Sequence, residues 1–327
     1  MSIGCSTSLL KRTTKRVRRM THKNYDKKLP DPVQAAKDTA EYGVISITNS
    51  NASPEEFAEW SLSYGYHLSP DIWCTDSEHS DLFWRVTNEK VDNENQGLFA
   101  DYELDWHTNI TPVVDAEECV GLYAKIITYH TETWFCNSIP YWNELSKDQQ
   151  KFYEKLDVVI DPMRRLGLIK NAWQPNFKEI YGERVMEDIS KNRKTRTIGN
   201  CKNIDPKDAE RYSPSRGMIE TVKFVPDHPL GTKGFFFTPY EVHGFSIDGE
   251  MLPQQDSKDI WNELWEKWIS TDKYTYKHAW KVGDICLMDQ LITIHRRPTV
   301  LKDKPRELLR TASWYKTDLR NHYNHCL

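Results

Sequence analysis

Two stretches far apart in the sequence hold residue types that could do chemistry together. The first, ELDWHTNITP at residues 103–112, sets His107 and Asn109 two positions apart, just past a strand-like run. The second, WKVGDICLMDQLITIHRRP at residues 280–298, passes from a turn at Gly283 and Asp284 through an apolar strand to His295. Beyond it, PRELLR spaces Arg306 and Arg310 four apart. A lone histidine is more often a hydrogen-bonded core or surface residue than a metal ligand. Two imidazoles and one oxygen donor on one face, however, form the facial arrangement that suits non-heme Fe(II) and leaves other positions open. A guanidinium near the second histidine can clamp a carboxylate through paired hydrogen bonds. A carboxylate-bearing cosubstrate that also chelates iron would use both features.

Positioning such a set falls to the surrounding elements. PVQAAKDTAEYG predicts a helix closed by Gly43, and VISITNS a short β-branched strand. SPEEFAEWSLSYG predicts a second helix, with Ser53 as cap, Pro54 at its first position and Glu56 completing a capping box. DLFWRVTNE and VGLYAKIITYH read as strands, and SKDQQKFYEKL as a helix with Ser146 and Gln149 as its capping pair. Strand-like runs return in MIETVKFV, KGFFFTP, HAWKVGDICLMDQ and RELLRTASWY. Between them DIWNELWEKWIS sets Trp261, Leu264, Trp265 and Trp268 at helical spacing, which is a core-facing stripe. Residues 161–217 are polar, basic and without a sustained period, and read as an insertion or lid on the main fold. Helices cluster early, strands dominate later, and neither strand–helix alternation nor GxGxxG occurs. The expected class is α+β, mainly β, with an antiparallel sandwich or barrel and helices packed outside.

These segments, in this order and spacing, resemble the TauD/TfdA group of Fe(II)- and 2-oxoglutarate-dependent oxygenases. EYGVISITNSNASPEEFAEWSLSYG resembles the family's opening helix–strand–helix, and GLFADYELDWHTN the segment that ends in its HxD ligand pair. TETWFCN, HPLGTKGFFF, WKVGDICLMDQLITIH and RELLR follow in the family's order. The resemblance runs from about residue 32 to residue 317. It implies a double-stranded β-helix (jelly roll) with flanking helices. It also implies His107 and His295 as imidazole ligands of Fe(II), and 2-oxoglutarate chelating the metal and meeting Arg306 and Thr133 with its far carboxylate. Arg310 would support that clamp or face the substrate. O2 would take the remaining position, with succinate and CO2 released as a small polar metabolite is hydroxylated.

At position 109 the family has Asp and this chain has Asn, so a dipole stands where a full negative charge is expected. Three readings follow. Asn109 or a water completes the metal set while 2-oxoglutarate supplies the missing anion. Alternatively the site works like the family's halogenase variants, whose small residue admits chloride, although Asn is bulkier than Ala or Gly. In the third, catalysis is lost and the chain is a metal- or ligand-binding module on the oxygenase fold. Asp101, Asp105 and Asp115 lie nearby without an evident aim at the metal, and Asp289 suits a turn or supporting hydrogen bond.

Bulk properties set outer bounds. The chain has 327 residues, 38% hydrophobic and 28% charged, enough apolar material for one large core or two modest ones. Twelve Trp predict an interior rich in rings. A net charge of -4 gives no field that favours nucleic acid. No apolar run approaches the roughly 20 residues that span a bilayer. Seven Cys without a CxxC pair suit a reducing cytoplasm. The sequence leaves room for a homo-oligomer. Residues 1–31 read as a basic arm, with Lys11, Arg12, Lys15, Arg16, Arg18 and Arg19 close together and an apolar part too short for a secretory signal. Residues 32–320 form the expected single domain and 321–327 a tail, in which His322, His325 and Cys326 read as frayed chain end. Tyr102, Tyr123 and the run from Phe235 to Phe237 are candidates to line a pocket or to pack.

Overall fold

Asp31 opens the first helix. Its side chain accepts from the Gln34 N–H at 2.9 Å, Pro32 takes the first turn, and α1 runs Pro32–Tyr42 before Gly43 turns the chain at φ +73°. The predicted capping boxes form at both later helices, Ser53 with Glu56 on α2 (Pro54–Leu62) and Ser146 with Gln149 on α4 (Lys147–Tyr153). Helix α3 spans Ser138–Glu144 and α5 spans Gln254–Leu264. The computed structural model describes residues 22–67, 75, 76, 78–92, 94–98, 103–109, 117–160, 220–239, 242–298, 300–316 and 319. The basic residues 11–19, the insertion at 161–217, the tail at 321–327, and Asp101, Tyr102 and Asp115 lie outside the described residues.

The larger sheet has seven strands. Its spatial order is β1 (Lys23–Asp26), β2 (Val44–Thr48), β15 (Ile285–Asp289), β8 (Cys119–Ile127), β17 (Arg306–Tyr315) and β3 (Gly65–His67), with β4 (Trp84–Thr87) also on β17. A four-stranded sheet runs β14 (Thr275–Ala279), β9 (Glu132–Asn137), β16 (Thr293–Arg297), β7 (Leu104–His107). A second runs β11 (Glu220–Lys223), β10 (Leu156–Ile160), β12 (Val242–Ile247), β13 (Glu250–Met251), and β5 (Lys90–Val91) pairs with β6 (Glu94–Asn95). Every pairing is antiparallel except β1 on β2. The molecule is thus mainly β with few helices, as the sequence predicts.

Alternation along each strand sorts side chains between faces. Ile285, Leu287 and Leu309 join Ile45, Phe57 and Trp60 beneath α1 and α2. Their neighbours Cys286, Met288, Leu308 and Ala312 turn the other way and meet Phe135 of the four-stranded sheet. On that sheet's far face Trp106, Cys136 and Ile294 pack with Trp261, Leu264 and Trp268. The predicted tryptophan stripe is therefore core, although α5 ends at Leu264 and the chain continues as a π-turn over Trp265–Ile269.

Two expectations need correction. Lys23–Asp26 falls inside the stretch read as an arm, yet forms β1 on β2. Its sequence, KNYD, carries no apolar alternation. An edge ladder holds it, together with Lys23 and Tyr25, whose side chains both bond Asp38. KGFFFTP is extended but lies outside the strand ladders. The Ser138 hydroxyl pins it instead, accepting from the Phe235 N–H at 2.8 Å, while Phe235, Phe236 and Phe237 are consumed in the core.

Gly43 combines a left-handed φ with crowding, since a Cβ there would meet Asn137 Nδ2 at 2.5 Å and Thr293 Oγ1 at 2.8 Å. Gly43→Ala is expected to destabilise the fold by about 2–4 kcal/mol, from the left-handed backbone and overpacking together, read by urea denaturation.

Candidate active site

His107 ends β7, His295 sits mid-strand in β16, and the two face each other across the ladder in direct register. Their ring centroids lie 4.1 Å apart with planes at 45°. Trp106 and Ile294 point to the outer cluster, so each adjoining histidine points into the space between the sheets. Phe135, the partner of His295 on β9, shares that space. The register shifts immediately beyond His295, an irregularity of the kind that re-aims side chains beside sites.

Burial sets the protonation of the pair. Desolvation lowers His107 to about 4, with nearby Arg297 and Arg310 adding to the effect. It lowers His295 well below the ordinary range, and His107 and Arg310 lower it further. Both rings are neutral at pH 7. His107 Nδ1 lies 2.6 Å from the Asp105 carbonyl oxygen, which can only accept. The proton therefore sits on Nδ1 and the lone pair on Nε2.

Asn109 lies two residues past β7 and is 8% exposed. Its backbone N–H reaches Gln290 Oε1 at 3.5 Å. Asn109 Oδ1 and His295 Nδ1 are both buried without a hydrogen-bond partner. A lone pair on His295 and the buried carboxamide oxygen of Asn109, two residues beyond His107, are donor types that suit a divalent cation, because a cation satisfies lone pairs that no donor reaches. No third His, Cys, Asp or Glu joins the set among the described residues. Asp105 does not substitute for the missing carboxylate, since its Oδ1 accepts from the Trp106 N–H at 2.8 Å. Asp289 takes the supporting role the sequence suggests. It accepts from His228 Nε2 at 2.7 Å, the Tyr315 hydroxyl at 2.8 Å and the Leu291 N–H at 3.0 Å.

The two arginines of β17 alternate in step with Leu308 and Ala312, so both point between the sheets. Arg306 is 2% exposed. Its Nε donates to Thr131 Oγ1 at 3.1 Å, and its Nη1 has no partner. Burial, then the charge of Arg297, lowers it to about 9, which leaves it cationic at neutral pH. Among the described residues no carboxylate pairs with it. Arg310 differs. Its Nη2 donates to Glu117 Oε2, and its guanidinium lies 4.8 Å over the Trp84 ring. Thr133 is buried and accepts from Trp280 Nε1 at 2.9 Å, which leaves its own proton to donate.

The structure thus places His107, His295 and Thr133 on the inter-sheet side of the four-stranded sheet and Arg306 and Arg310 on that of the seven-stranded sheet, with Asn109 buried two residues past β7. Thr131, Glu117, Trp280 and Gln290 escaped the sequence reading. Thr131 was findable, because TET places Thr131 and Thr133 in step along one extended run. Tyr123 packs against Phe57 and bonds the Ala52 carbonyl on the helical side, so it does not line this space. Phe235 to Phe237 likewise lie in the outer cluster.

Comparison with known proteins bears on the family and the fold. The family described as "Taurine catabolism dioxygenase TauD, TfdA family" matches residues 16–312. Pentalenolactone F synthase of Streptomyces arenae is 22% identical over 279 residues, covering 83% of this chain and 82% of that protein. A taurine dioxygenase from Burkholderia xenovorans superposes with a TM-score of 0.59 at 15% identity, over 91% of this chain and 88% of that one. AAD-2 in complex with Mn(II) and N-oxalylglycine gives 0.56 at 13% identity, over 91% and 95%. At such identities the structural likeness carries the fold.

Neutral buried histidines make stability depend on pH. His67 and His107 are each depressed by burial from 6.5 to about 4. The unfolded chain therefore binds protons that the native chain refuses. Their contribution is complete above about pH 6.5 and is lost as pH falls toward 4. Urea titration of the metal-free protein is expected to show a loss of up to about 3 kcal/mol per imidazole across that window.

Proposed function

The chain belongs to the TauD, TfdA dioxygenase family, and from that premise we propose that it is a non-heme Fe(II)- and 2-oxoglutarate-dependent oxygenase that hydroxylates a small polar metabolite. In this reading the seven-stranded and adjoining four-stranded sheets are the walls of a double-stranded β-helix. His107, His295 and Asn109 hold Fe(II), with Asn109 acting through its carboxamide oxygen. Arg306 and Thr133 grip the far carboxylate of 2-oxoglutarate, and Thr131 orients Arg306. When bound, Fe(II), 2-oxoglutarate and O2 supply the oxidising chemistry, with succinate and CO2 as co-products. The protein's share is to keep both imidazoles unprotonated, to present fixed donors to the cosubstrate and to exclude water. The free, buried cysteines Cys119, Cys136 and Cys286 suit the reducing, cytoplasmic setting we propose. Among the described residues no helix is long and apolar enough to cross a membrane.

The observation that carries this reading is Arg306. A fully buried guanidinium without an internal carboxylate is unfavourable by itself. An incoming dianion resolves it. Anaerobic protein mixed with Fe(II) and 2-oxoglutarate is expected to develop the weak visible charge-transfer band of the chelate, and to form succinate under air. Absence of both, with metal uptake also absent, would make the chain a binding module. A chloride-dependent chlorinated product would instead identify a halogenase.

Asn109→Asp restores a charge at the metal position. It is expected to tighten Fe(II) binding by roughly tenfold or more, about 1.4 kcal/mol. Competition with a fluorescent chelator measures this. Unchanged affinity would remove Asn109 from the ligand set.

A further inference from the structure

Arg310 differs from Arg306 in its charge balance: Glu117 pairs with it, although Arg310 Nε, like Arg306 Nη1, is buried without a hydrogen-bond partner among the described residues. Glu117 immediately precedes Glu118 and β8, and its side chain is completely buried. Its Oε2 accepts from Arg310 Nη2, while its Oε1 is buried without a hydrogen-bond partner among the described residues. Trp84 covers one face of the same guanidinium at 4.8 Å. An anionic head group approaching Arg310 would therefore meet a fixed carboxylate. Two like charges about 5 Å apart, at an effective dielectric of about 20, repel by an amount on the order of 100-fold in affinity. The orphaned Glu117 Oε1 has the opposite preference. A buried acceptor without a donor is satisfied by an N–H or O–H, and most strongly by an ammonium.

We propose that Glu117 is a specificity-determining residue. It occupies Arg310 from within, closes that guanidinium to carboxylates and sulfonates, and presents its second oxygen to a hydrogen-bond donor on the substrate. The substrate class is thus a small molecule bearing an amine or comparable donor where it meets this pair, not an acid gripped by Arg310. The assignment rests on the oxygenase reading for its location beside the reacting centre. Its test uses the metal-free protein, so a failed succinate assay leaves the outcome independent.

Ligand-observed NMR titration with 1-propanesulfonate and with n-butylammonium, each on wild type and Glu117→Gln, reads the two preferences. Glu117→Gln keeps the shape and removes the charge. It is expected to bind propanesulfonate at least 30-fold more tightly than wild type, and butylammonium at least tenfold more weakly. The sulfonate gain should vanish in the Glu117→Gln/Arg310→Gln double variant, which separates Arg310 from Arg306 as the anion's partner. Equal sulfonate affinity in wild type and Glu117→Gln, a gain that survives in the double variant, or butylammonium binding indifferent to Glu117 would each overturn the assignment. Arg310→Gln alone gives a second reading that does not depend on the Glu117 variants folding. Sulfonate affinity within twofold of wild type supports a sequestered Arg310, and a tenfold loss refutes it.

Discussion

The site depends on one pairing, that of β7 with β16. Side chains alternate with a period of two, so a slip of one residue would send His107 or His295 into the outer cluster and bring Trp106 or Ile294 inward. Several contacts hold the register. The Gly43 carbonyl accepts both the Asp289 N–H at 2.9 Å and the Thr293 hydroxyl at 3.2 Å, tying the end of β15 and the start of β16 to the end of α1. The Asp289 carboxylate then fixes the connecting turn through Leu291, with His228 and Tyr315 completing its shell. Phe135 faces His295 across β9. The left-handed turn at Gly43 is therefore a long-range positioning device as well as a helix stop.

Electrostatics distinguishes the two ends of this interior. Burying an ion costs several kcal/mol unless a partner compensates. Arg310 has its compensation built in, through Glu117 and the Trp84 face. Among the described residues the Arg306 side chain has a neutral partner, the hydroxyl of Thr131, and no carboxylate. One cation is thus charge-compensated and the other is not among the described residues, with Thr133 on the inter-sheet side of β9 as a further hydroxyl. An acid arriving at Arg306 converts an unfavourable burial into a favourable one. The same acid at Arg310 would compete with a partner already in place.

The legible parts of this design were those written in local pattern. Capping residues mark the early helices, and strand-like runs leading to His107 and His295, with Arg306 and Arg310 four apart, mark the candidate site. The family order of TETWFCN and RELLR added Thr133 and the arginine pair. The rest depends on distant contacts that spacing does not encode. Glu117 sits in the acidic run DAEEC, which reads as solvated chain, and only the fold reveals that it is buried against Arg310. His228 and Asp289 are 61 residues apart and meet through tertiary packing. KGFFFTP has the composition of a strand, but its backbone is met by the Ser138 hydroxyl at Phe235 and by the single Phe224 carbonyl at Phe236, not by a continuous ladder. KNYD lacks the alternation of a strand, and a ladder claims it anyway.

Asn109 looks different once Glu117 is counted. In the proposed oxygenase, a carboxamide at 109 in place of the family's carboxylate removes one negative charge from the interior and leaves the proposed metal position more electropositive. Glu117 supplies one negative charge to the same interior, at Arg310. The formal total is then the same as for an aspartate at 109 with an unpaired Arg310, but the distribution is not. Positive potential is concentrated where an anionic chelator would bind, and it is cancelled at the second guanidinium. A Coulomb interaction in a low-dielectric interior acts over several ångströms, so moving a charge from one position to the other redirects which ligand each end prefers without altering the fold that holds them.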